Sequence, residues 1–223
     1  MLRAVFECAE ALGLIDERPE GALDATGLES RHASSYYVNR KGYRPFRRRG
    51  WPKLTLCCHT GTHLFPSAVV SAGPSNDSPQ FAAAMILAAE QIAFDRLLAD
   101  AAYDGEHNHR LCREQLGIRS TVIPLNPRRS CSRPPRGRYR RQMSRRFPKR
   151  VYAHRWQVES AISQLKRILG SAVRARSEAA RSRECLLRVL THNLMLLALF
   201  LLTLILNLMH FKYAIQKRFS TEQ

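Results

Sequence analysis

The order of strand-like and helix-like segments is the feature that most restricts how this chain can fold. Three apolar, turn-bounded segments come first, and alternation of helical and extended patterns follows. Consecutive strands joined by short turns favour an antiparallel arrangement, and the later alternation favours right-handed parallel crossovers. We therefore predict an α/β fold with a mixed sheet of three antiparallel strands followed by parallel strands, flanked by helices. The predicted strands are 21–29, 52–60, 63–73, a short strand ending near Asp100, and 119–126; the predicted helices are 2–14, 80–98, 107–117, 151–170 and 177–211.

The positive charge of the chain is concentrated in two stretches. The formal net charge is +18, and residues 40–53 and 126–150 contain seven and eleven Lys or Arg residues with no acid. Proline and glycine in both stretches predict loops. Basic stretches that contain no acid favour contact with the phosphate backbone of a nucleic acid. Such contact needs positive charge but no readout of the base sequence. Solvated loops without a partner are the alternative. The aromatic residues among the charges could stack on bases: Tyr43, Phe46, Trp51, Tyr139 and Phe147.

Glu159 is the only acid between Glu114 and Glu178, and it lies on a predicted amphipathic helix. At 100° per residue, an arc of about 60° carries a tyrosine, an arginine, this glutamate and a lysine. The arc borders the buried stripe rather than opposing it, so it can face a cleft. From geometry alone, a surface Arg–Glu pair and a functional carboxylate remain equally good interpretations. The arc is formed by Tyr152, Arg155, Glu159 and Lys166, and the stripe by Val158, Ile162, Leu165 and Leu169.

The spacing Tyr-x2-Arg-x3-Glu-x6-Lys of these four residues resembles the C-terminal signature of the DDE transposases of bacterial insertion sequences. Upstream, LADAAYDG resembles the block of the second aspartate and places it at Asp100, four residues before its local rival Asp104. LDATGLES resembles the block of the first aspartate and places it at Asp24. The resemblance covers about residues 20–197 and implies a ribonuclease-H-like domain, in agreement with the element order.

The resemblance also implies a site and an activity. Asp24, Asp100 and Glu159 would be the catalytic carboxylates and the metal ligands, holding two Mg²⁺ ions, with Mn²⁺ as a substitute. The activity would be cleavage and strand transfer at transposon ends, with DNA as the partner and a homodimer assembled on DNA. A cytoplasmic, nucleoid-associated protein without a membrane partner is expected. The predicted DNA-binding residues are Tyr152, Arg155, Lys166, Arg138, Arg140 and Arg141.

Three segments follow from this interpretation: a short helical remnant at 1–19, a catalytic domain at 20–193 with the basic loop 126–150, and an apolar helix with a basic tail at 194–223. The short stretch before Asp24 predicts an N-terminally truncated copy. A catalytically silent DNA-binding remnant is therefore the alternative function. The apolar run 194–209 is shorter than the roughly 20 residues of a membrane span. We expect a packed helix there, with a short span or an unselected tail as alternatives.

Overall fold

A five-stranded mixed sheet forms the centre of the molecule. The computed structural model describes residues 2–30, 51–126 and 135–220, with side chains described to residue 213. In chain order the strands are β1 (Glu20–Gly27), β2 (Glu29–Ser30), β3 (Trp51–His59), β4 (Ser67–Gly73), β5 (Arg96–Ala99), β6 (Ser120–Val122) and β7 (Ala172–Val173). The order in the main sheet is β4-β3-β1-β5-β6, and β2 pairs with β7 in a second, two-stranded sheet. Strands β4, β3 and β1 are antiparallel neighbours, whereas β5 and β6 run parallel to β1. The predicted mixed sheet is confirmed.

Helices cover both faces of the sheet. They are α1 (Leu2–Ala11), α2 (Phe81–Ala89), α3 (Glu106–Arg110), α4 (Arg138–Arg145), α5 (Lys149–Tyr152), α6 (Trp156–Leu169) and α7 (Glu178–Ser220). Successive strand residues point to opposite faces. Leu23, Leu97 and Cys57 accordingly pack in the core beneath α1 and α2, while Ala22 and Leu98 pack in the second core, against α6.

The register of β1 and β5 sets the position of the site. Their parallel pairing ends at Leu23 opposite Ala99, so Asp24 and Asp100 are the next residue on each of two neighbouring strands. Because side chains alternate, both aspartates share the face of Ala22 and Leu98, which is the face covered by α6.

Two predicted elements are wrong in their extent. The helix predicted at 80–98 ends at Ala89, and its last part forms β5. The segment Arg96–Ala99 has good helical propensity, but it is hydrogen-bonded between β1 and β6, so tertiary pairing overrides propensity. The strand predicted at 63–73 begins only at Ser67, because the chain turns at His63, whose φ is 62°.

The basic stretch 126–150 is not a loop throughout, because it contains α4 and the start of α5. The N-terminus of α4 is capped from a distance: the backbone N–H groups of Tyr139 and Arg140 donate to the two carboxylate oxygens of Glu106, each at 3.0 Å. A Cβ at Gly137 would lie 2.0 Å from this carboxylate, which explains the glycine. The predicted loop at 40–53 lies outside the described residues except for 51–53, which form the start of β3.

The C-terminal helix α7 is continuous across residue 194, where we predicted a domain boundary. Its packed part is fixed by buried Asn193, whose side chain accepts from the N–H of Phe65 and donates to its carbonyl, both at 2.9 Å. Leu196 and Leu197 are also buried, whereas the large apolar residues from Leu201 to Tyr213 are exposed. Within the described residues, α7 is the one helix long and apolar enough to cross a membrane.

Candidate active site

Asp24 and Asp100 lie where β5 leaves the sheet. Strand β1 continues to Gly27 alongside β3, but β5 stops at Ala99. Asp100 then caps a tight turn over Ala101–Tyr103, with its side chain accepting from the N–H of Ala101. The carboxylate of Asp24 accepts from the N–H of Ala25 at 2.8 Å. Residues 24–27 of β1 therefore have no β5 neighbour, and a gap opens beside them.

Arg155 connects Asp24 to Glu159. One terminal guanidinium nitrogen lies 3.4 Å from Oδ2 of Asp24, and the other donates to Oε1 of Glu159. The exposed fractions of the three side chains are 18% for Arg155, 24% for Asp24 and 52% for Glu159. The local Arg–Glu pair considered from the sequence does form, but the same guanidinium also reaches a strand 131 residues away in the chain. The structure thus brings the predicted first aspartate, the arginine and the glutamate together.

The tyrosine of the signature lies beside this arginine. The guanidinium carbon of Arg155 is 5.9 Å from the centre of the Tyr152 ring, and the ring packs edge-on against Phe147 at 5.1 Å. The predicted single helix over 151–170 is interrupted, since a tight turn at Ala153–Arg155 joins α5 to α6. The turn places Tyr152 and Arg155 before α6 and leaves Glu159 in its first turn.

The charges around Asp24 and Arg155 shift the pKa values of both side chains. Burial raises the pKa of Asp24 above its ordinary value; the Ala25 N–H and Arg155 oppose that shift, and the charges of Asp100 and Glu159 add to it. Burial lowers the pKa of Arg155, but the nearby carboxylates outweigh burial and raise this pKa above its ordinary value. Asp24 contributes most among them, followed by Glu159 and Asp100. A cation at this position therefore relieves repulsion within the acidic group.

A cleft of about 500 Å³ opens beside Asp24 and Glu159. Besides Asp24 and Glu159 it is lined by Lys166, as the predicted arc requires. Ser163 and Arg167 also line it and were missed by the sequence analysis. They lie four and eight residues after Glu159, so helical periodicity from Glu159 could have found them.

Asp104 has a different role from Asp100. Its side chain is 0% exposed and receives two hydrogen bonds of 2.7 Å from the guanidinium of Arg140. The backbone N–H of Asn126 donates to it at 2.9 Å. Asp104 therefore links α4 to the segment that follows β6. This explains its presence in the motif without a catalytic role.

A groove of about 460 Å³ lined by arginines runs along α4. Arg138 and Arg141 line it, together with Arg136, Arg145 and Arg146, which we had not predicted. Arg140 is instead directed at Asp104, and its predicted contact with DNA stays a prediction. Two of the aromatic rings proposed for base stacking are engaged in the protein: Tyr139 is buried with Arg113 over its ring at 4.6 Å, and Phe147 packs on Tyr152. Tyr43 and Phe46 lie outside the described residues.

The donor chemistry of the predicted metal ligands fits a hard divalent cation, since all three are carboxylates. In residues 2–30, 51–126 and 135–220, however, no three His, Cys, Asp or Glu side chains lie close enough together to hold a metal ion. Asp24 and Glu159 are linked through the guanidinium of Arg155, which contacts both carboxylates.

The fold belongs to the ribonuclease-H-like class. In its mixed sheet, the neighbouring strands β1 and β5 each carry an aspartate directly after their last mutual pair. A third carboxylate, Glu159, lies on α6, which covers these strands. The family model described as transposase DDE domain matches residues 16–194. The chain therefore belongs to the transposase DDE domain family. A comparison with curated proteins finds no match.

Proposed function

We propose that this chain is a metal-dependent DNA transposase that cleaves and rejoins DNA at transposon ends with Asp24, Asp100 and Glu159. The observation that carries the proposal is the register: the pairing of β1 with β5 ends one residue before both aspartates, on the face covered by the helix of Glu159. The contact of Arg155 with both Asp24 and Glu159 supports it. Membership of the family supports the reaction class.

The three carboxylates would hold two Mg²⁺ or Mn²⁺ ions. When bound, such ions activate the attacking oxygen and stabilise the leaving oxygen of an in-line phosphoryl transfer. The carboxylates of this chain supply the negative charge that the ions need. Lys166, on the same wall of the cleft, would hold a DNA phosphate, as would Arg155. Tyr152 would pack against the DNA backbone beside Arg155 and Lys166.

The arginine groove along α4 would bind the DNA further from the reacting phosphate. Arg138 and Arg141 line the groove, and among the described residues no acid lines it with them. Arg140 would contribute positive potential from its position beside Asp104. Contacts of this kind are independent of sequence and weaken steeply with salt. We further propose a homodimer assembled on DNA and a nucleoid-associated location in the cytoplasm.

Nicking of supercoiled plasmid in Mg²⁺ or Mn²⁺ tests the proposal. Glu159→Gln keeps the size of the side chain and removes its charge, so the variant should lose nicking while it still binds DNA. Glu90→Gln is the matched control, because Glu90 is an exposed glutamate at the end of α2 and away from the cleft. Equal nicking by the parent and Glu159→Gln would refute the assignment. No nicking by either, together with salt-dependent DNA binding, would favour the catalytically silent DNA-binding remnant.

A further inference from the structure

The guanidinium of Arg155 occupies the space between two of the proposed metal ligands. Its two terminal nitrogens address different carboxylates, Oδ2 of Asp24 at 3.4 Å and Oε1 of Glu159. The side chain is mostly buried, at 18% exposure, and lies near the ring of Tyr152. Arg155 is therefore fixed at this point rather than solvated beside it.

The guanidinium of Arg155 and a divalent ion cannot both occupy the position between these two oxygens. A divalent ion that bound Oδ2 of Asp24 and Oε1 of Glu159 would lie within a few ångströms of the guanidinium, where like charges repel strongly. The same oxygens would also have to exchange their hydrogen bonds to Arg155 for bonds to the metal. Arg155 must therefore move away before both carboxylates can become ligands.

A DNA phosphate is a suitable new partner for the displaced guanidinium. Arginine binds phosphate as it binds carboxylate, through two parallel N–H groups. Lys166 lines the same cleft, and its ammonium would attract a phosphate to the place where Arg155 could reach it.

We propose that Arg155 is a positioning residue that holds Asp24 and Glu159 until a DNA phosphate draws its guanidinium away, so that DNA binding and metal binding favour each other. The inference rests on the proposed function, because it takes Asp24 and Glu159 as metal ligands. Metal affinity without DNA is therefore weak, and removing the guanidinium strengthens it. Such coupling is reciprocal, so metal also strengthens DNA binding.

Binding of Mn²⁺ to the full chain without DNA, followed by electron paramagnetic resonance of the free ion, tests the inference without an activity measurement. Arg155→Gln should bind Mn²⁺ at least about tenfold more tightly than the parent, because it lacks the competing charge. The gain should disappear when Glu159→Gln is added. Arg110→Gln is the matched control, since it removes one charge from an exposed Arg–Glu pair at the same i,i+4 spacing. It should bind Mn²⁺ as the parent does.

The possible outcomes separate the inference from the function on which it rests. Equal affinity of the parent and Arg155→Gln, with binding that still depends on Glu159, overturns the role of Arg155 and leaves the metal site. Mn²⁺ binding that is insensitive to Glu159 in every variant overturns both. If Arg155→Gln does not fold, Arg155→Lys serves instead. A single ammonium cannot address both carboxylates through separate nitrogens, so a smaller gain in Mn²⁺ affinity supports the inference and no gain overturns it.

Discussion

Asp100 and Asp104 are four residues apart, and substituting each by asparagine should separate a catalytic carboxylate from a structural one. Asp104 is completely buried and forms a two-pronged ion pair with Arg140. Asp100 caps a short turn through the N–H of Ala101, which an asparagine oxygen can also accept. We expect Asp104→Asn to unfold more easily. Asp100→Asn should keep its stability and lose metal-dependent nicking.

The cost of Asp104→Asn follows from the charge it leaves behind. Removing one partner of a buried ion pair costs about 3–5 kcal/mol, because the remaining charge loses the opposite charge that it contacts. Arg140 keeps 24% exposure, so water screens part of its charge and we expect about 3 kcal/mol, the low end. For a chain of this size, that loss lowers the melting temperature by roughly 6–12 °C. Urea unfolding followed by circular dichroism measures the free energy directly.

A second ion pair of the same geometry provides the control. Asp95 receives hydrogen bonds of 2.8 and 2.7 Å from Arg119, but this arginine is 63% exposed. Asp95→Asn should therefore cost far less than Asp104→Asn. Equal costs for the two variants would refute the argument from burial. Loss of nicking by a stable Asp104→Asn protein, with nicking retained by Asp100→Asn, would reverse the assignment of the second catalytic aspartate.

The stability contributed by Asp104 should also depend on pH. Burial alone would raise the pKa of this carboxyl, but the hydrogen bonds from Arg140 and Asn126 outweigh it and hold the pKa below its ordinary value. A lowered pKa in the folded state means that the contribution is complete above the unfolded pKa of about 3.9 and is lost as the pH falls through the folded value. The difference in unfolding free energy between the parent and Asp104→Asn should therefore shrink in acid.

Three further predictions follow from single contacts. Burial lowers the pKa of His109 to about 4, so protonation favours the unfolded chain as the pH falls from about 6.5. Urea unfolding should therefore show that the protein is less stable at pH 5 than at pH 7, and this loss should be smaller in His109→Gln. Asn193→Ala should cost about 2–4 kcal/mol in urea unfolding, because the buried N–H and carbonyl of Phe65 each lose a partner. Asn207→Ala, at an exposed position of the same helix, should cost less. Arg141→Gln should reduce the slope of log affinity against log salt for duplex DNA by about 0.9, whereas the Arg110→Gln control should leave the slope unchanged.

The order of the elements could be predicted from the sequence, because apolar periodicity and turn residues are local signals. The short strand predicted to end near Asp100 is confirmed as β5, but the helix predicted at 80–98 was drawn through its first residues, because the hydrogen bonds of Arg96–Ala99 to β1 and β6 are not a local signal. The helix α4 was missed for a related reason. Its cap is the carboxylate of Glu106, more than 30 residues upstream, and its anchor is Asp104. Both errors arise from contacts that are distant in the chain.

The site was predicted unevenly for the same physical reason. Arg155 and Glu159 are four residues apart on one helical face, and their contact could be derived from spacing alone. The contact of Arg155 with Asp24 depends on how α6 lies across the sheet, which no local pattern contains. The preference for Asp100 over Asp104 rested on the resemblance and on the turn-like setting of Asp104 between Tyr103 and Gly105. The structure adds an independent reason, because the pairing of Asp104 with Arg140 accounts for Asp104.

The unequal lengths of two neighbouring strands explain why a cleft forms at this place. Strand β1 keeps its partner β3 as far as Gly27, opposite Lys53, but it loses β5 after Leu23. A backbone edge in the middle of a sheet is thereby left without a strand, and Asp24 and Thr26 line the cleft beside it. The cause is Asp100, which ends β5 by capping the turn that follows. Asp100, proposed as the second catalytic carboxylate, therefore also leaves open the cleft in which Asp24 would contact a substrate.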